Sequence, residues 1–255
     1  MSKEHILQLL SQGIRLDGRG LLDYRDVKVE YGASVSAEGS AKVTIGDTIV
    51  ITGIKMAIGT PYSDTPNQGN LMCGAELSPL ASPEFETGAP GIKAIEIGRV
   101  IDRGIRESHL IDLKDLCHTP GEKVWSVSID ICPINDEGNL FDAGSLSALA
   151  ALKDTKLPEL SKEGVINYDV KTKTPLPIAD NQPISVTVCK IGDYIIVDPI
   201  AEEEKWIDAR LTVATTKDGE LCALQKGGDE PLTIEEVDKM VTIAIEKTAD
   251  LRKAL

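Results

Sequence analysis

The sequence predicts an α+β fold of two related halves that pack together, each with strand hairpins and amphipathic helices. Two β-branched runs interrupted by Gly-Asp, at residues 45–51 and 191–197, indicate a tight hairpin in each half, with glycine in a left-handed conformation. After further strands, a long helical pattern follows at residues 92–110 and at 233–254. With 42% hydrophobic residues in 255 positions, the chain can bury the core that such a fold needs.

The other elements of the first half follow from local patterns. A short helix is predicted at residues 4–10, and an exposed loop with two prolines at residues 59–69. A strong strand at residues 123–133 and a polar turn lead into the stretch 141–149, where a helix of small residues begins that runs to about Lys153. The first half is therefore predicted to be rich in strands and to contain two helices that follow its hairpin in the chain.

Prolines between residues 172 and 183 indicate an extended linker between the halves. We therefore divide the chain into a first half with an N-terminal arm at residues 1–160, a linker and connecting strand at 161–182, and a second half at 183–255. The last helix begins with a capping box at Thr233.

Composition narrows the class of function. A net charge of −14 argues against a freestanding nucleic-acid binder, although it allows a local basic patch. The five cysteines are odd in number and widely spaced, which is typical of reduced thiols, and the three histidines lack the spacing of zinc ligands. No apolar run approaches the length of about 20 residues that a membrane span needs. We therefore expect a soluble cytoplasmic protein without a cofactor.

The stretch 141–149 is the first candidate site. A Gly144-Ser145 step at the start of a helix offers unpaired backbone N–H groups and the positive end of the helix dipole, which suits a phosphate. However, no arginine or lysine stands in this first turn to hold the anion. Whether the chain is an enzyme or a relative that has lost its chemistry depends on this site.

A second candidate is a stripe of arginines on the helix predicted at residues 92–110. Helical spacing places Arg99, Arg103 and Arg106 together on the face opposite the apolar residues. They are either part of a solvated charged face, paired with acidic neighbours on the same helix, or a cationic stripe that grips phosphates. From the residues alone, the solvated face is the simpler explanation.

Two further motifs are open to more than one interpretation. Glu202 and Asp208, six residues apart in an acidic segment, could bracket a divalent metal, or they could belong to an exposed acidic turn. Near the N-terminus, Arg15-Leu16-Asp17-Gly18-Arg19 is typical of a turn, because Asp-Gly supplies the bend. It could also dock the N-terminal arm on a partner through its arginines.

Taken in order, these motifs resemble the RNase PH superfamily of phosphate-dependent 3′→5′ exoribonucleases. The resemblance runs from about Arg15 to Leu251, and it rests on the order and spacing of five pieces: residues 15–19, 39–48, 96–103, 130–132 and 197–208. It is closest to one branch, the non-catalytic RNase PH-like subunit of the archaeal exosome. Residues 197–204 are similar to the D-P-T-x-E-E-E run of that branch, and residues 218–226 are similar to its D-G-x-[VI]-C-x-[LI]-x-K run.

The resemblance implies a duplicated β-α fold and a set of partners. It implies three heterodimers with a catalytic RNase PH-like subunit in a hexameric ring, a central channel through which single-stranded RNA threads, and RNA-binding cap subunits. In that branch, arginines on the helix that carries Arg99, Arg103 and Arg106 are implied to contact the RNA backbone at the interface with the catalytic subunit. The resemblance therefore favours the phosphate-gripping interpretation of the stripe.

The chain departs from the active members at two positions that decide between an enzyme and a supporting subunit. The resemblance places Leu146 and Ile92 where active members carry phosphate-binding arginines. Two lost charge-assisted bonds would remove about 3–6 kcal/mol of phosphate binding. We thus expect Gly144 and Ser145, with the acidic pair, to form only a vestigial phosphate and metal site.

The resulting hypothesis is a non-catalytic core subunit of an RNA-degrading ring, which structures the active site of its catalytic partner and helps to bind RNA. The first alternative is an active phosphate-dependent exoribonuclease that uses Glu202, Asp208 and a metal. The second alternative is an interaction scaffold without RNA contact.

Overall fold

A large sheet dominates the first half of the computed structural model, which describes residues 2–161 and 165–255. Its strands are β1 (Val27–Tyr31), β2 (Gly39–Ile45), β3 (Thr48–Gly59), β4 (Asn70–Ala75), β5 (Cys117–Thr119) and β6 (Lys123–Asn135). They lie in the order β1-β2-β3-β6-β4, and β5 pairs with β6 outside this path. The strands pair antiparallel except for β4, which runs parallel to β6.

The second half contains an antiparallel sheet of its own. Its strands are β9 (Ile184–Ile191), β10 (Tyr194–Val197), β11 (Ala209–Thr215) and β12 (Leu221–Gly227), in the order β10-β9-β11-β12. Before it in the chain, β7 (Lys156–Leu160) and β8 (Ile166–Pro175) form a separate antiparallel pair. These two sheets and the hairpin confirm the predicted strand-rich α+β class.

Helices connect and cover these sheets. They are α1 (Lys3–Leu10), α2 (Ile92–Glu107), α3 (Leu140–Asp154), α4 (Ala201–Glu204) and α5 (Ile234–Arg252). Helix α2 packs on β4, α3 and β12, whereas α5 packs on β9 and β11. Within the described residues, none of these helices is long and apolar enough to cross a membrane.

Helix α3 is the centre of the core. It contacts β2 and β3 of the first sheet and β9 of the second, and every residue from Leu140 to Leu152 is buried. A helix that is buried on all sides needs no polar face, which explains why small and apolar residues occur on every face of α3. Its alanines, glycine and serines allow both sheets to approach closely, so α3 joins the two halves into one core.

The two Gly-Asp hairpins confirm the predicted turn chemistry. Strand β2 ends at Ile45 and β3 begins at Thr48, so only Gly46 and Asp47 form the turn, with Gly46 at φ 56°. The hairpin between β9 and β10 repeats this arrangement, with Gly192 at φ 58°. A positive φ at the first of two turn residues is the arrangement that glycine favours in tight hairpins.

Helix α2 has the predicted amphipathic pattern but is shorter. The residues of its predicted apolar face, among them Ile97 and Ile101, are buried. It ends at Glu107 instead of residue 110, because His109 adopts a left-handed conformation with φ 52°. This backbone conformation is a common way to end a helix.

The segment predicted as an extended linker, residues 172–183, is partly strand. Strand β8 continues to Pro175 and pairs with β7, and Ile178 then bridges to Ile111 of the first half. The predicted connecting segment 161–182 includes residues 162–164, which lie outside the described residues.

Candidate functional site

The start of α3 lies earlier than the sequence predicts, and this changes the candidate phosphate site. The helix begins at Leu140 after Asn139, which has φ 62°. Gly144 and Ser145 therefore lie in the second turn, where backbone N–H groups bond within the helix. The expectation that this step forms the free end of the helix is wrong, because Asn139 starts the helix one turn before it.

Gly144 and Ser145 serve packing instead. A Cβ atom on Gly144 would lie 2.9 Å from Cδ1 of Ile101 in α2, so glycine lets the two helices approach closely. The Ser145 hydroxyl donates to Oγ of Ser185 at 3.1 Å and accepts from the Ser185 backbone N–H at 3.3 Å. Both residues connect α3 to its neighbours inside the core.

A cavity of about 250 Å³ lies at the true N-terminus of α3. Asn139, Phe141, Glu96, Glu204 and Arg210 line it, together with other residues. The backbone N–H of Asn139 donates to Oε1 of Glu204 at 2.7 Å, so a carboxylate of this chain already occupies part of the positive end of the helix.

Arg210 is the central cation of this cavity. Its guanidinium lies 4.1 Å from the centre of the Phe141 ring, and its Nη2 donates to Oε1 of Glu96 at 2.5 Å. Its Nη1 is buried and has no hydrogen-bond partner among the described residues. Burial raises the pKa of Glu204, while Lys93 acts in the opposite direction. The cavity therefore holds opposing charges that largely neutralise one another.

The predicted acidic pair is not brought together at this cavity. Glu202 is partly exposed on α4, where it pairs with Lys205 at 2.7 Å. Asp208 precedes β11, accepts from the Gly192 N–H at 2.7 Å and forms an ion pair with Lys3 of α1. Within the described part of the chain, no group of three or more His, Cys, Asp or Glu side chains could hold a metal ion.

The sequence prediction missed Glu204 and Arg210. These two residues are six positions apart, as Glu202 and Asp208 are, but each lies two positions later in the chain. One signal was available, because Arg210 is the single charged residue in the apolar strand β11. A lone arginine at such a position needs a partner inside the protein.

A polar network fixes the backbone at the start of α3. Asn139 Nδ2 donates to Oδ1 of Asp198 at 2.8 Å and to Oδ2 of Asp142 at 3.0 Å. The Tyr24 hydroxyl donates to the same Asp142 oxygen at 2.6 Å. Asp142 is fully buried, and burial raises its pKa to about 6. Arg25 holds Asp198 through both carboxylate oxygens, and the pKa of Asp198 lies below its ordinary value because the Arg25 bonds outweigh desolvation.

The Arg15-Leu16-Asp17-Gly18-Arg19 motif forms the predicted turn, with Gly18 at φ 84°. Its arginines, however, bind residues of this chain. Arg15 is buried and forms an ion pair with Glu203, and Arg19 Nη1 donates to Oδ2 of Asp198 at 2.8 Å. The interpretation that this motif docks the arm on a partner is wrong, because both guanidinium groups are used to bind the second half.

The arginine stripe lies on the exposed face of α2, but its three members differ. Arg106 donates to both oxygens of Asp102 and to the Leu71 carbonyl. Arg99 and Arg103 are exposed, and within residues 2–161 and 165–255 neither has an ion pair or a side-chain hydrogen bond. These two arginines line a groove of about 460 Å³ together with Ile92, which is 88% exposed.

Comparison with protein families now identifies the fold. The chain matches the models for domain 1 of the RNase PH 3′ exoribonuclease family over residues 23–158 and for domain 2 over residues 181–247. The chain belongs to the RNase PH family of 3′ exoribonucleases. The resemblance drawn from the motifs is thereby confirmed over most of the chain.

The chain is similar to two archaeal proteins over nearly their whole length. The exosome complex component Rrp42 of Methanosarcina acetivorans is 45% identical over 99% of this chain and 92% of that protein. That of Pyrococcus furiosus is 43% identical over 99% and 92%. Among solved structures, a chain of the Archaeoglobus fulgidus exosome with RNA bound to the active site has a TM-score of 0.91 and 42% identity, covering 98% of this chain and 96% of that chain.

A second solved structure, of an archaeal exosome core, has a TM-score of 0.86 and 38% identity, covering 98% of this chain and 94% of that chain.

The two positions where active RNase PH proteins are expected to carry arginine differ in their surroundings here. Leu146 is fully buried inside α3, whereas Ile92 is an exposed residue at the start of α2.

Proposed function

We propose that this protein is a non-catalytic ring subunit of an archaeal exosome, which structures the active site of a catalytic RNase PH-like partner and helps to bind RNA. The observation that carries the proposal is similarity over nearly the whole chain to proteins named exosome component Rrp42, together with a TM-score of 0.91 to a chain of an RNA-bound exosome. A partial match could reflect a shared domain alone, whereas a match over 98–99% of the chain covers both halves of the protein.

The cavity at α3 supports a non-catalytic role. Phosphorolysis needs a bound phosphate as nucleophile, yet Glu204 accepts from the N–H of Asn139 at the end of the helix. Arg210, the nearby cation, is engaged by Glu96. Leu146 is buried in the core and Ile92 is apolar, so neither supplies the missing positive charge. The two carboxylates and the two cations that line this cavity offset one another, so an anion entering it meets no net positive charge that would favour its binding.

The exposed face of α2 supports RNA contact. Arg99 and Arg103 lie one turn apart, and they are not neutralised by ion pairs within the described part of the chain. A guanidinium without a partner can bind a phosphate through two parallel hydrogen bonds. In a chain of net charge −14, such a stripe provides a local site for the RNA backbone. Arg106 contributes less in this proposal, because Asp102 and the Leu71 carbonyl already bind it.

The same face supports a protein partner. Ile92 and Ile95 are 88% and 50% exposed and lie beside the two arginines. Protein interfaces are enriched in arginine and contain apolar side chains at their centre. We place the catalytic subunit here, in a heterodimer of which three form a hexameric ring with RNA-binding cap subunits. A cytoplasmic location is part of the same proposal.

Phosphorolysis of poly(A) by purified proteins, with magnesium and inorganic phosphate, tests the proposal. The chain alone is expected to release no nucleoside diphosphates, and adding the catalytic subunit is expected to give a stable complex that degrades RNA. Degradation by the chain alone, abolished in Asp208→Ala, would support the active-enzyme alternative. A failure to assemble with the catalytic subunit would contradict the proposed role in the ring.

A further inference from the structure

The carboxylate of Glu96 is bound by Arg210 of β11, although Arg99 lies three residues after Glu96 on α2. Glu96 lines both the cavity at α3 and the groove that contains Arg99 and Arg103. Arg99 follows Glu96 by three residues on α2, a spacing at which opposite charges on a helix surface attract each other. Nevertheless, Glu96 accepts from Nη2 of Arg210 in β11 at 2.5 Å. The charge of Arg99 is therefore left uncompensated by its helical neighbour.

Arg210 is held in a position that favours its contact with Glu96 over a contact between Glu96 and Arg99. Its guanidinium packs on the Phe141 ring at 4.1 Å, and its side chain is only 14% exposed. A charge pair removed from water is screened less than an exposed pair on a helix surface. The contact between Glu96 and Arg210 is therefore stronger than the exposed alternative with Arg99, which would also have to order a long, mobile side chain.

A second acidic residue on helix α2, Asp102, can be compared with Glu96. Asp102 has no cation from another element beside it in the described contacts, and it pairs with Arg106 four residues later at 2.8 Å. Arg106 is consequently neutralised, whereas Arg99 is not. The two acids thus differ in their partners, because Arg210 of β11 binds Glu96, whereas Asp102 binds Arg106 of its own helix.

We propose that Arg210 is a positioning residue for RNA binding, which keeps Arg99 free to bind phosphate by holding the carboxylate of Glu96 away from it. This inference rests on the proposed function, because it assumes that the groove with Arg99 and Arg103 contacts RNA. It adds a residue from the second half of the protein, outside the stripe itself, to the determinants of RNA affinity.

The test measures poly(A) affinity of the assembled complex, by fluorescence anisotropy at several salt concentrations. Arg210→Met keeps the length of the side chain and its contact with Phe141 but removes the charge. Its affinity is expected to fall about threefold to tenfold, the effect of one nearby opposite charge at a protein surface. The slope of log affinity against log salt is expected to decrease in magnitude by about 0.7, the value for one phosphate contact on a single strand.

Rescue separates this role from a structural one. The double variant Arg210→Met/Glu96→Gln is expected to regain the affinity of the unmodified complex, and Arg210→Lys to keep it. If the double variant binds as weakly as Arg210→Met, Arg210 acts through the shape of the site and the inference is wrong. Should Arg210→Met fail to assemble, Glu96→Gln alone decides, since a lowered affinity in that variant would contradict the inference.

Arg99→Gln distinguishes failure of the inference from failure of the proposed function. If Arg99→Gln weakens binding and Arg210→Met does not, the inference fails and RNA contact by the stripe stands. If neither variant changes the affinity, RNA contact by this groove is itself contradicted.

Discussion

Arg15 and Glu203 form an ion pair that is almost completely withdrawn from water, although 188 positions separate them in the chain. The Nε of Arg15 donates to Oε1 of Glu203 at 3.1 Å, and its two terminal nitrogens reach the carbonyls of Val197 and Asp198 at 2.7 and 2.8 Å. The pair ties the N-terminal arm to the second half and explains why an arginine can be fully buried beneath the acidic segment.

Removing Arg15 should therefore destabilise the protein strongly. Arg15→Met leaves Glu203 buried without a counter-charge, which is expected to lower the free energy of unfolding by about 3–5 kcal/mol in urea denaturation. The double variant Arg15→Met/Glu203→Met should lose less than the single variant, because no unpaired charge remains. The exposed pair of Lys42 and Glu30 provides a control, for which Lys42→Met should cost less than about 1 kcal/mol. Equal losses at the two sites would contradict this account.

Asp142 makes the stability of the protein depend on pH in a defined direction. Its pKa in the folded state, about 6, lies above the ordinary value of 3.8. The folded state consequently binds this proton more tightly, so the contribution of Asp142 is present below the unfolded pKa and is lost as the pH rises through the folded pKa. Relative to Asp142→Asn, which is neutral at every pH, the unmodified protein should lose about 2 kcal/mol of unfolding free energy between pH 4 and 7. Urea titrations of both proteins would show this; a difference independent of pH would contradict it.

Gly138 should be irreplaceable in the turn before α3. It has φ 88°, and a Cβ atom there would lie 2.7 Å from the carbonyl carbon of Ile200 and overlap the Pro199 carbonyl. Gly138→Ala is expected to lower the unfolding free energy by about 3 kcal/mol or more, from backbone strain and overlap together. Gly121 is a matched control with φ 78° and open space around its Cα. Gly121→Ala should show only the backbone strain, about 1–2 kcal/mol. Similar losses for both would show that the contact with the acidic segment is unimportant.

The three arginines of the stripe should contribute unequally to RNA binding. In the assembled complex, Arg99→Gln and Arg103→Gln are each expected to weaken poly(A) binding about tenfold, because each loses a charge-assisted phosphate contact. Arg106→Gln should change the affinity less, since Asp102 and the Leu71 carbonyl already engage this side chain. Anisotropy titrations with equal amounts of assembled ring measure the order. A loss for Arg106→Gln as large as for the other two would refute the distinction.

Features governed by local chemistry could be predicted from the sequence. The turns at Gly46 and Gly192 each need a residue with positive φ between two strands, and a Gly-Asp pair in the sequence indicates such a turn. The buried face of α2 follows from helical spacing, and it leaves Arg99 and Arg103 exposed as predicted. In each case, residues within one turn or one hairpin determine the outcome.

Features governed by distant contacts could not be predicted. Asn139 precedes α3 in a left-handed conformation, and its side chain donates to Asp198, which lies 59 positions later in another part of the fold. The short helix α4 determines which of the three consecutive glutamates face inward. It turns Glu203 toward Arg15 and Glu204 toward Asn139. Glu202 faces solvent. Spacing alone pointed to Glu202 and Asp208, and it could not show which carboxylates face inward.

Phosphorolysis by a ring in which only this subunit could be active tests the non-catalytic role. The ring is assembled with a catalytic partner whose own active site has been inactivated, and release of nucleoside diphosphates from poly(A) is followed with magnesium and phosphate. We expect a ring that still binds RNA, through Arg99 and Arg103, but releases no nucleoside diphosphate. Release that disappears when Glu204→Gln or Asp208→Ala is introduced into this subunit would contradict it.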